Sequence, residues 1–500
     1  MLTKHPNFNF RIMPRSLTIL RFGLFSTVIA VSVILLVSPL SRSHASDSDL
    51  LAIYQLALEN DAAYQIAKLT HDSNSVDLPL AKTAFKPSLS ISGVMGRNRS
   101  NDRQITTTEP GNRIGMDLNL KLYDRNAKMG IEQTSLEEQV SALKLADAKN
   151  DLMLRVANRY FSLLASLDER KVARVQSTAI HRQMDLANER LEVGLGTRSD
   201  LFDAKARFQQ AQADEIRTEN LINNNIAILK EMIGVDPGEI MPLADNAPLE
   251  LSFPNDVDQW IGQALEKNLE IKIQASNVET SKIEITKALT TKTPTVGLRA
   301  SHFWSEIGSA GISNDTSRTA LELNFSVPIY SGGAIDLKTE KAMIQHKLSE
   351  QLFEHTKRRI STATISEFLA VNSRLNQANA LLEAIVAGEN ALAAKEEGFS
   401  AGLTTNIDVL DAQRDLSRSR KDYLQARYDY ILSTLNLERV TGQLDEDDIS
   451  RVNNWLRLSG SSAMKMKIQP AFVDSIPELL MESYAMNIIN TGAVTTPHPG

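Results

Sequence analysis

ERLEVGLGTRSDLFDAKARF at residues 189–208 returns as EGFSAGLTTNIDVLDAQRDL at residues 397–416. Seven of these twenty positions are identical, where composition alone gives about one. Each stretch reads as a helix stopped by a glycine (Gly194, Gly402), a short turn, and a second helix with acids in its first turns (Asp200 and Asp203; Asp408 and Asp411).

Outward from this turn the similarity continues at an almost constant offset. Gly234 recurs as Gly442, 208 residues on, while Leu122-Tyr123 recurs as Ile329-Tyr330, Pro87 as Pro294 and Leu58-Glu59 as Leu265-Glu266, all 207 residues on. One inserted residue over so long a period means two copies of one unit, and a period this long excludes a solenoid. The copies are expected at residues 46–236 and 257–443, joined by a linker over 237–256 that carries Pro237, Gly238, Pro242, Pro248 and Pro254.

Within each copy the hydrophobic period changes in the same order. A helix is expected over 49–84 and again over 257–292, with Leu51, Tyr54 and Leu58 at helical spacing. Two alternating strands follow. Leu89 and Ile91 alternate with Ser88, Ser90 and Ser92, and Ile114, Met116, Leu118, Leu120 and Leu122 alternate with polar residues; Val296, Leu298, Ala300 and then Leu321, Leu323, Phe325, Val327 answer them in the second copy. Polar loops are expected at 99–112 and 305–318. From Ala127 to Val193 the chain has no proline and a single glycine, Gly130. A helix of that length reaches about 100 Å. A return helix is expected from Ser199 to Ile233, and the second copy repeats the pair over Lys338–Ser400 and onward to Val440. Helices this long imply coiled-coil pairing.

Composition narrows the function. The 500 residues are 42% hydrophobic and 23% charged, with a formal charge of −7 and no cysteine. These values exclude wholesale disorder and speak against a nucleic-acid partner. Without cysteine there is no disulfide, no thiolate metal site and no thiol to carry a lipid. No P-loop, HExxH or GxSxG pattern appears, so no enzyme activity, metal or cofactor is expected. Residues 1–45 hold Lys4, Arg11, Arg15, Arg21 and Arg42 but no acid, then an apolar stretch from Phe22 to Val37 and Ser43-His44-Ala45. That order predicts a secretory signal peptide cut after Ala45. The alternative, a retained N-terminal anchor, fits the slightly long apolar stretch. Residues 444–500 read as a periplasmic, partly disordered tail, beginning with a solvated acidic run at Asp445–Asp448.

Four strands per chain, apolar on one face and polar on the other, suit the wall of a transmembrane β-barrel. Four strands cannot close, and an open edge cannot face lipid because its backbone groups go unpaired. Several chains must therefore share one barrel, with twelve strands if there are three. Two alternatives use the same parts: a soluble α+β protein with half-buried sheets, and a periplasmic coiled-coil scaffold or adaptor that never enters lipid.

Over residues 49–443 the chain resembles the TolC family of outer-membrane efflux and secretion channels. The segment from Ala401-Gly402-Leu403 to Asp411-Ala412 resembles that family's helix–turn–helix at the periplasmic tip, and Val327-Pro328-Ile329-Tyr330-Ser331-Gly332-Gly333 its strand-to-helix junction. The first copy, Leu120–Asn126, lacks the proline and the glycine pair. The resemblance implies an α+β membrane protein: a homotrimer with a twelve-stranded barrel in outer-membrane lipid and a long α-helical periplasmic tunnel. It implies a passive exit duct that docks through a periplasmic adaptor onto an inner-membrane ABC or RND-type transporter.

The resemblance also assigns sites. Asp408 and Asp411 are expected to line the closed tunnel end while complementing the helix dipole, and Asp200 to belong to a lock between neighbouring helix pairs. Where the family's best-known form has Tyr and Arg in that lock, this chain has Phe399 and Thr404, with Arg198 available from the other copy. Val193-Gly194-Leu195 and Ala401-Gly402-Leu403 resemble the tips that engage the adaptor; the local reading is that each glycine caps a helix and each leucine packs beneath the turn. Tyr123 and Tyr330 are expected at matching strand ends, either at the membrane–water boundary or packed at the junction with the helices.

Overall fold

The computed structural model describes residues 48–102, 105–244, 247–249, 254–309 and 312–456. The expected signal peptide and residues 457–500 of the tail lie outside the described residues. The first copy comprises α1 (Leu50–Asn60), α2 (Ala62–Lys82), β1 (Ser88–Val94), β2 (Arg97–Asp102), β3 (Ile105–Asp124), α3 (Arg125–Glu192) and α4 (Arg198–Ile233). The second comprises α5 (Val257–Lys267), α6 (Leu269–Thr290), β4 (Thr295–Ser309), β5 (Ile312–Ser326), α7 (Ala334–Ser400) and α8 (Asn406–Thr441), and a short α9 (Glu446–Asn453) follows.

The expected helices over 49–84 and 257–292 are each broken in two, at Asp61 and Asn268, which stand 207 residues apart. Both residues are extended and act as N-caps, Asp61 accepting from Tyr64 N–H and Asn268 from Ile271 N–H. A capping side chain satisfies a backbone donor only outside helical geometry, so the break and the cap are one event. Asn268 also donates to the Val440 carbonyl at 2.7 Å. Asp61 instead receives two hydrogen bonds from Arg155, at 2.8 and 3.0 Å.

The sheet is antiparallel in the order β1-β3-β4-β5, with β2 extending the pairing along β3. Register aligns the apolar phase across all four strands: Leu89, Leu118, Ala300 and Leu321 form one row, and Leu120, Leu298 and Leu323 another. The expected polar loops are strand instead. β3 starts at Ile105, β4 runs to Ser309 and β5 starts at Ile312. The ladder satisfies the backbone of the polar residues there, and the Ser305 and Thr316 hydroxyls meet at 3.0 Å. A register shift between Lys121 and Tyr123 brings Tyr123, rather than Leu122, into the row of Val296 and Phe325.

The helices pack in pairs, α3 with α4 and α7 with α8. Their main core lies midway along the long helices. Leu152, Val156, Tyr160 and Phe161 of α3 meet Ile222 and Leu229 of α4, Val371 of α7, and Tyr428, Ile431 and Leu435 of α8. Leu50 and Ile53 of α1, Ile240 and Leu243 of the linker, and Ile449 and Val452 of α9 close over this core. The acidic run is therefore not simply solvated. Asp445 caps α9 by accepting from Asp447 and Asp448 N–H, and Asp448 is buried, because Ile449 and Val452 must reach the core. Gly442 ends α8 with φ +72°, and a Cβ there would come within 2.6 Å of the Lys267 carbonyl oxygen.

Candidate functional site at the helical tip

At the tip, α3 and α7 end in the same hydrogen-bonded cap. Gly194 and Gly402 are left-handed, with φ +76° and +75°. Leu195 N–H donates to the Arg190 carbonyl and Gly194 N–H to that of Leu191; Leu403 and Gly402 repeat this onto Gly398 and Phe399. Both are Schellman caps, which satisfy carbonyls that a helix end otherwise leaves open. Here the leucines depart from expectation. Leu195 is 74% and Leu403 82% exposed, and Val193 is exposed beside them. The space beneath the turns is filled by exchange between copies. In the second copy Thr404 packs on Gly398 and donates to the Lys395 carbonyl. In the first, those positions are Gly196 and Arg190, and Gly196 lies against the Arg190 backbone.

The return helices start with matching capping boxes. Thr405 Oγ1 accepts from Asp408 N–H, and the Asp408 carboxylate accepts from Thr405 N–H; Thr197 and Asp200 do the same for α4. The hydrogen bonds from the Thr405 side chain and backbone, with Lys395 at 4.0 Å, hold the Asp408 carboxyl below the usual carboxylate range. Asp408 and Asp200 are thus equivalent, half-buried caps.

Asp411 stands differently. Arg207 of α4 reaches it at 2.9 Å and Arg414, one turn on, at 3.3 Å. Two further contacts join the helical hairpins of the chain. The Arg190 guanidinium lies 4.6 Å from the Phe399 ring centroid, and Asn406, 1% exposed, accepts from Gln183 and donates to the Asp200 carbonyl at 3.5 Å. Arg190, Arg207 and Gln183 were not singled out from the sequence; only the spacing of Arg207, four and seven residues after Asp203 and Asp200, signals that it shares their face. Ala204 and Ala211 on that face are buried against Ile180 and Leu410, so small side chains let the two hairpins approach. Arg198 has no ion pair among the described residues, and Arg190 is the arginine that covers Phe399.

At the other end of the long helices the strand ends are not equivalent. β3 passes straight into α3 through Asp124, whose carboxylate accepts from Ala127 N–H. β5 stops at Ser326, because Pro328 has no N–H for the ladder, and Gly332 and Gly333 at φ +58° and +81° turn the chain into α7. Tyr123 is in the strand, whereas Tyr330 is highly exposed on the connector beyond it. Among the described residues no helix is long and apolar enough to cross a membrane, and no group of three or more His, Asp or Glu is placed to hold a metal.

A split sheet hairpin pair that feeds two coiled-coil hairpins defines an outer-membrane channel fold. The CusC structure, reported with conformational changes accompanying transmembrane channel formation, matches it with a TM-score of 0.69 over 79% of this chain and 92% of its own, at 15% identity. The chain matches the outer membrane efflux protein family over residues 53–235 and 260–443, one match per copy, and belongs to that family. It is 26% identical to outer membrane protein TolC of Vibrio cholerae over 82% of this chain and 94% of that protein. It is also 26% identical to the alkaline protease secretion protein AprF of Pseudomonas aeruginosa, over 83% and 88%. Its place is the outer membrane, with a periplasmic helical domain.

Proposed function

We propose that three copies of this chain form a passive exit duct, a twelve-stranded barrel continued by a helical tunnel, serving efflux or type I secretion. One observation carries the reading: among the described residues the sheet has unpaired edges along β1, β2 and β5, and one face carries exposed Leu89, Ile91, Leu321, Leu323 and Phe325. Such a sheet is stable in lipid only if neighbouring copies pair its edges. Exposed apolar stripes support the same stoichiometry below the sheet. Ile66, Leu69, Val76 and Leu80 on α2, and Ile344, Leu348 and Leu352 on α7, recur at helical spacing and need cover from another chain.

In this reading Val193, Leu195 and Leu403 are the apolar contacts offered to a periplasmic adaptor, with Gly194, Ala401 and Gly402 shaping the turns, and an ABC or RND-type inner-membrane transporter supplies the energy. Asp408 and Asp411 line the mouth, and Asp200 lies at the contact between hairpins. Tyr123 and Tyr330 stand at the membrane boundary. The description of the family supports efflux and the name of the AprF relative supports secretion. Mass measurement in detergent together with single-channel recording tests the proposal. Trimers that conduct are expected; a stable folded monomer, or trimers with no conductance, overturns it.

A further inference from the structure

The polar face of the sheet is not uniform along its length. Near the helices its charges balance: Arg299 pairs with Asp117 at 2.6 Å and stands directly across from Glu322, while Lys121 pairs with Asp124. Further along, the described side chains of this face are an aromatic ring and two arginines. Phe303 faces Gly115 on β3 and Arg318 on β5, and the Arg113 guanidinium lies 3.9 Å from the Phe303 ring centroid. Gly115 makes room for this arrangement, since a Cβ there would come within 3.3 Å of the Phe303 Cβ. Among the residues whose side chains are described, no carboxylate pairs with Arg113 or Arg318.

Arg113 is eleven residues from Asp124, where β3 meets α3. That is about 36 Å along a strand, or roughly 27 Å of height at ordinary barrel tilt. The cluster therefore sits toward the outer end of the bore, at the opposite end of the molecule from Asp408.

We propose that Arg113, Phe303 and Arg318 form an anion-retaining girdle near the outer mouth of the barrel. The proposal rests on the trimeric duct reading, under which three chains bring six guanidiniums and three aromatic rings around one bore. Guanidinium forks match carboxylate, phosphate and sulfate groups bidentately. Stacking on Phe303 fixes the Arg113 fork before a ligand arrives, and a low-dielectric wall strengthens a ring of one sign. The ligand class is thus multivalent anionic groups on the passing cargo. Cargo leaving an acidic periplasmic mouth meets a basic outer one, so the two ends of the duct select oppositely.

Planar-bilayer recording of the full-length trimer, with tripolyphosphate added on the barrel side, tests this. Voltage-dependent block is expected in the wild type, and at least a tenfold weaker block in Arg113→Gln with Arg318→Gln, at unchanged trimer yield and with conductance retained. Phe303→Ala should give an intermediate loss. Conducting wild-type trimers that tripolyphosphate does not block, or a double variant blocked as strongly as the wild type, overturn the girdle and leave the duct standing. Absence of any conductance removes the duct reading and the girdle with it.

Discussion

Arg207 and Asp411 meet at 2.9 Å across the two helical hairpins of one chain, so the second of the two acids expected at the tunnel mouth is already neutralised. Arg414 adds a second cation to the same carboxylate. Asp408 is held ionised by its capping box, and its nearest cation, Lys395, stands farther off at 4.0 Å.

The two acids should therefore contribute unequally to selectivity at the tip. Asp408→Ala is expected to lower cation selectivity more than Asp411→Ala, and Arg207→Ala to raise it by removing one of the two cations beside Asp411. A partly exposed pair contributes about 0.5–1 kcal/mol, so trimers should persist in all three. Reversal potentials in a salt gradient provide the measurement. Equal effects of Asp408→Ala and Asp411→Ala would show that the Arg207 pair does not persist in the assembled channel.

The register of the sheet makes a paired prediction. Leu118 lies between Leu89 and Ala300, and Leu323 opposes Leu298, all in the apolar phase. Leu118→Lys or Leu323→Lys should reduce insertion and heat-resistant trimers, because a mid-membrane charge on the lipid face costs about 2–4 kcal/mol. The neighbours Asn119 and Asn324 lie on the polar face of the sheet, so Asn119→Lys and Asn324→Lys should assemble better, although Asn119 opposes Arg299 and pays some like-charge repulsion. Equal loss from both phases would reverse the assignment of faces.

The repeat, the long helices and the apolar strand phase were legible because each is a property of spacing, and the tip turns ended within a residue or two of where Gly194 and Gly402 placed them. Contacts between copies were not. Arg207 with Asp411 and Arg190 with Phe399 join helices whose relative rotation no single-helix pattern encodes. The strand ends failed for a local reason. Polar stretches were read as loop where the ladder continues, and the shift at Lys121/Tyr123 exchanged the faces of Leu122 and Tyr123. The breaks at Asp61 and Asn268 had a visible signal, a capping residue 207 apart in both copies, but helical periodicity resumes so soon that each pair reads as one helix.

Glu438 gives a pH dependence to the joint between α8 and α9. Burial pushes its carboxyl up to about 7, with the Asp448 charge adding to the effect and Arg451, which donates to it at 2.6 Å, opposing it. Asp445 raises it further. A raised acid keeps its proton in the folded state while the unfolded chain ionises near 4.5. Its stability contribution is thus present below that lower value and is lost as pH rises through about 7. Glu438→Gln should consequently melt higher than wild type at pH 8, by no more than about 3 kcal/mol, and by much less at pH 5. A benefit that does not depend on pH would mean that Glu438 is not carrying the proton.

Asp61 runs in the opposite direction and can be separated from its partner by using its counterpart in the other copy. Burial alone would raise its carboxyl, but the Arg155 hydrogen bonds and the Tyr64 N–H hold it below the usual value. Its stabilising contribution is therefore present above the unfolded carboxylate range and is lost as pH falls through the lower folded value. Arg155→Ala removes the guanidinium and leaves a buried, ionised cap, which should cost roughly 3 kcal/mol near pH 7. Asn268 performs the same capping with no charge and no arginine, donating to a carbonyl instead. Asp61→Asn introduced together with Arg155→Ala should then recover most of the loss, since an uncharged amide still accepts from Tyr64 N–H and no longer strands a charge. Apparent melting temperatures of the four members of this cycle, followed at neutral and acidic pH, measure the coupling. Recovery by Asp61→Asn at pH 7 that fades toward low pH is the expected outcome; a double variant no more stable than Arg155→Ala alone would show that the arginine acts through packing and not through the Asp61 charge.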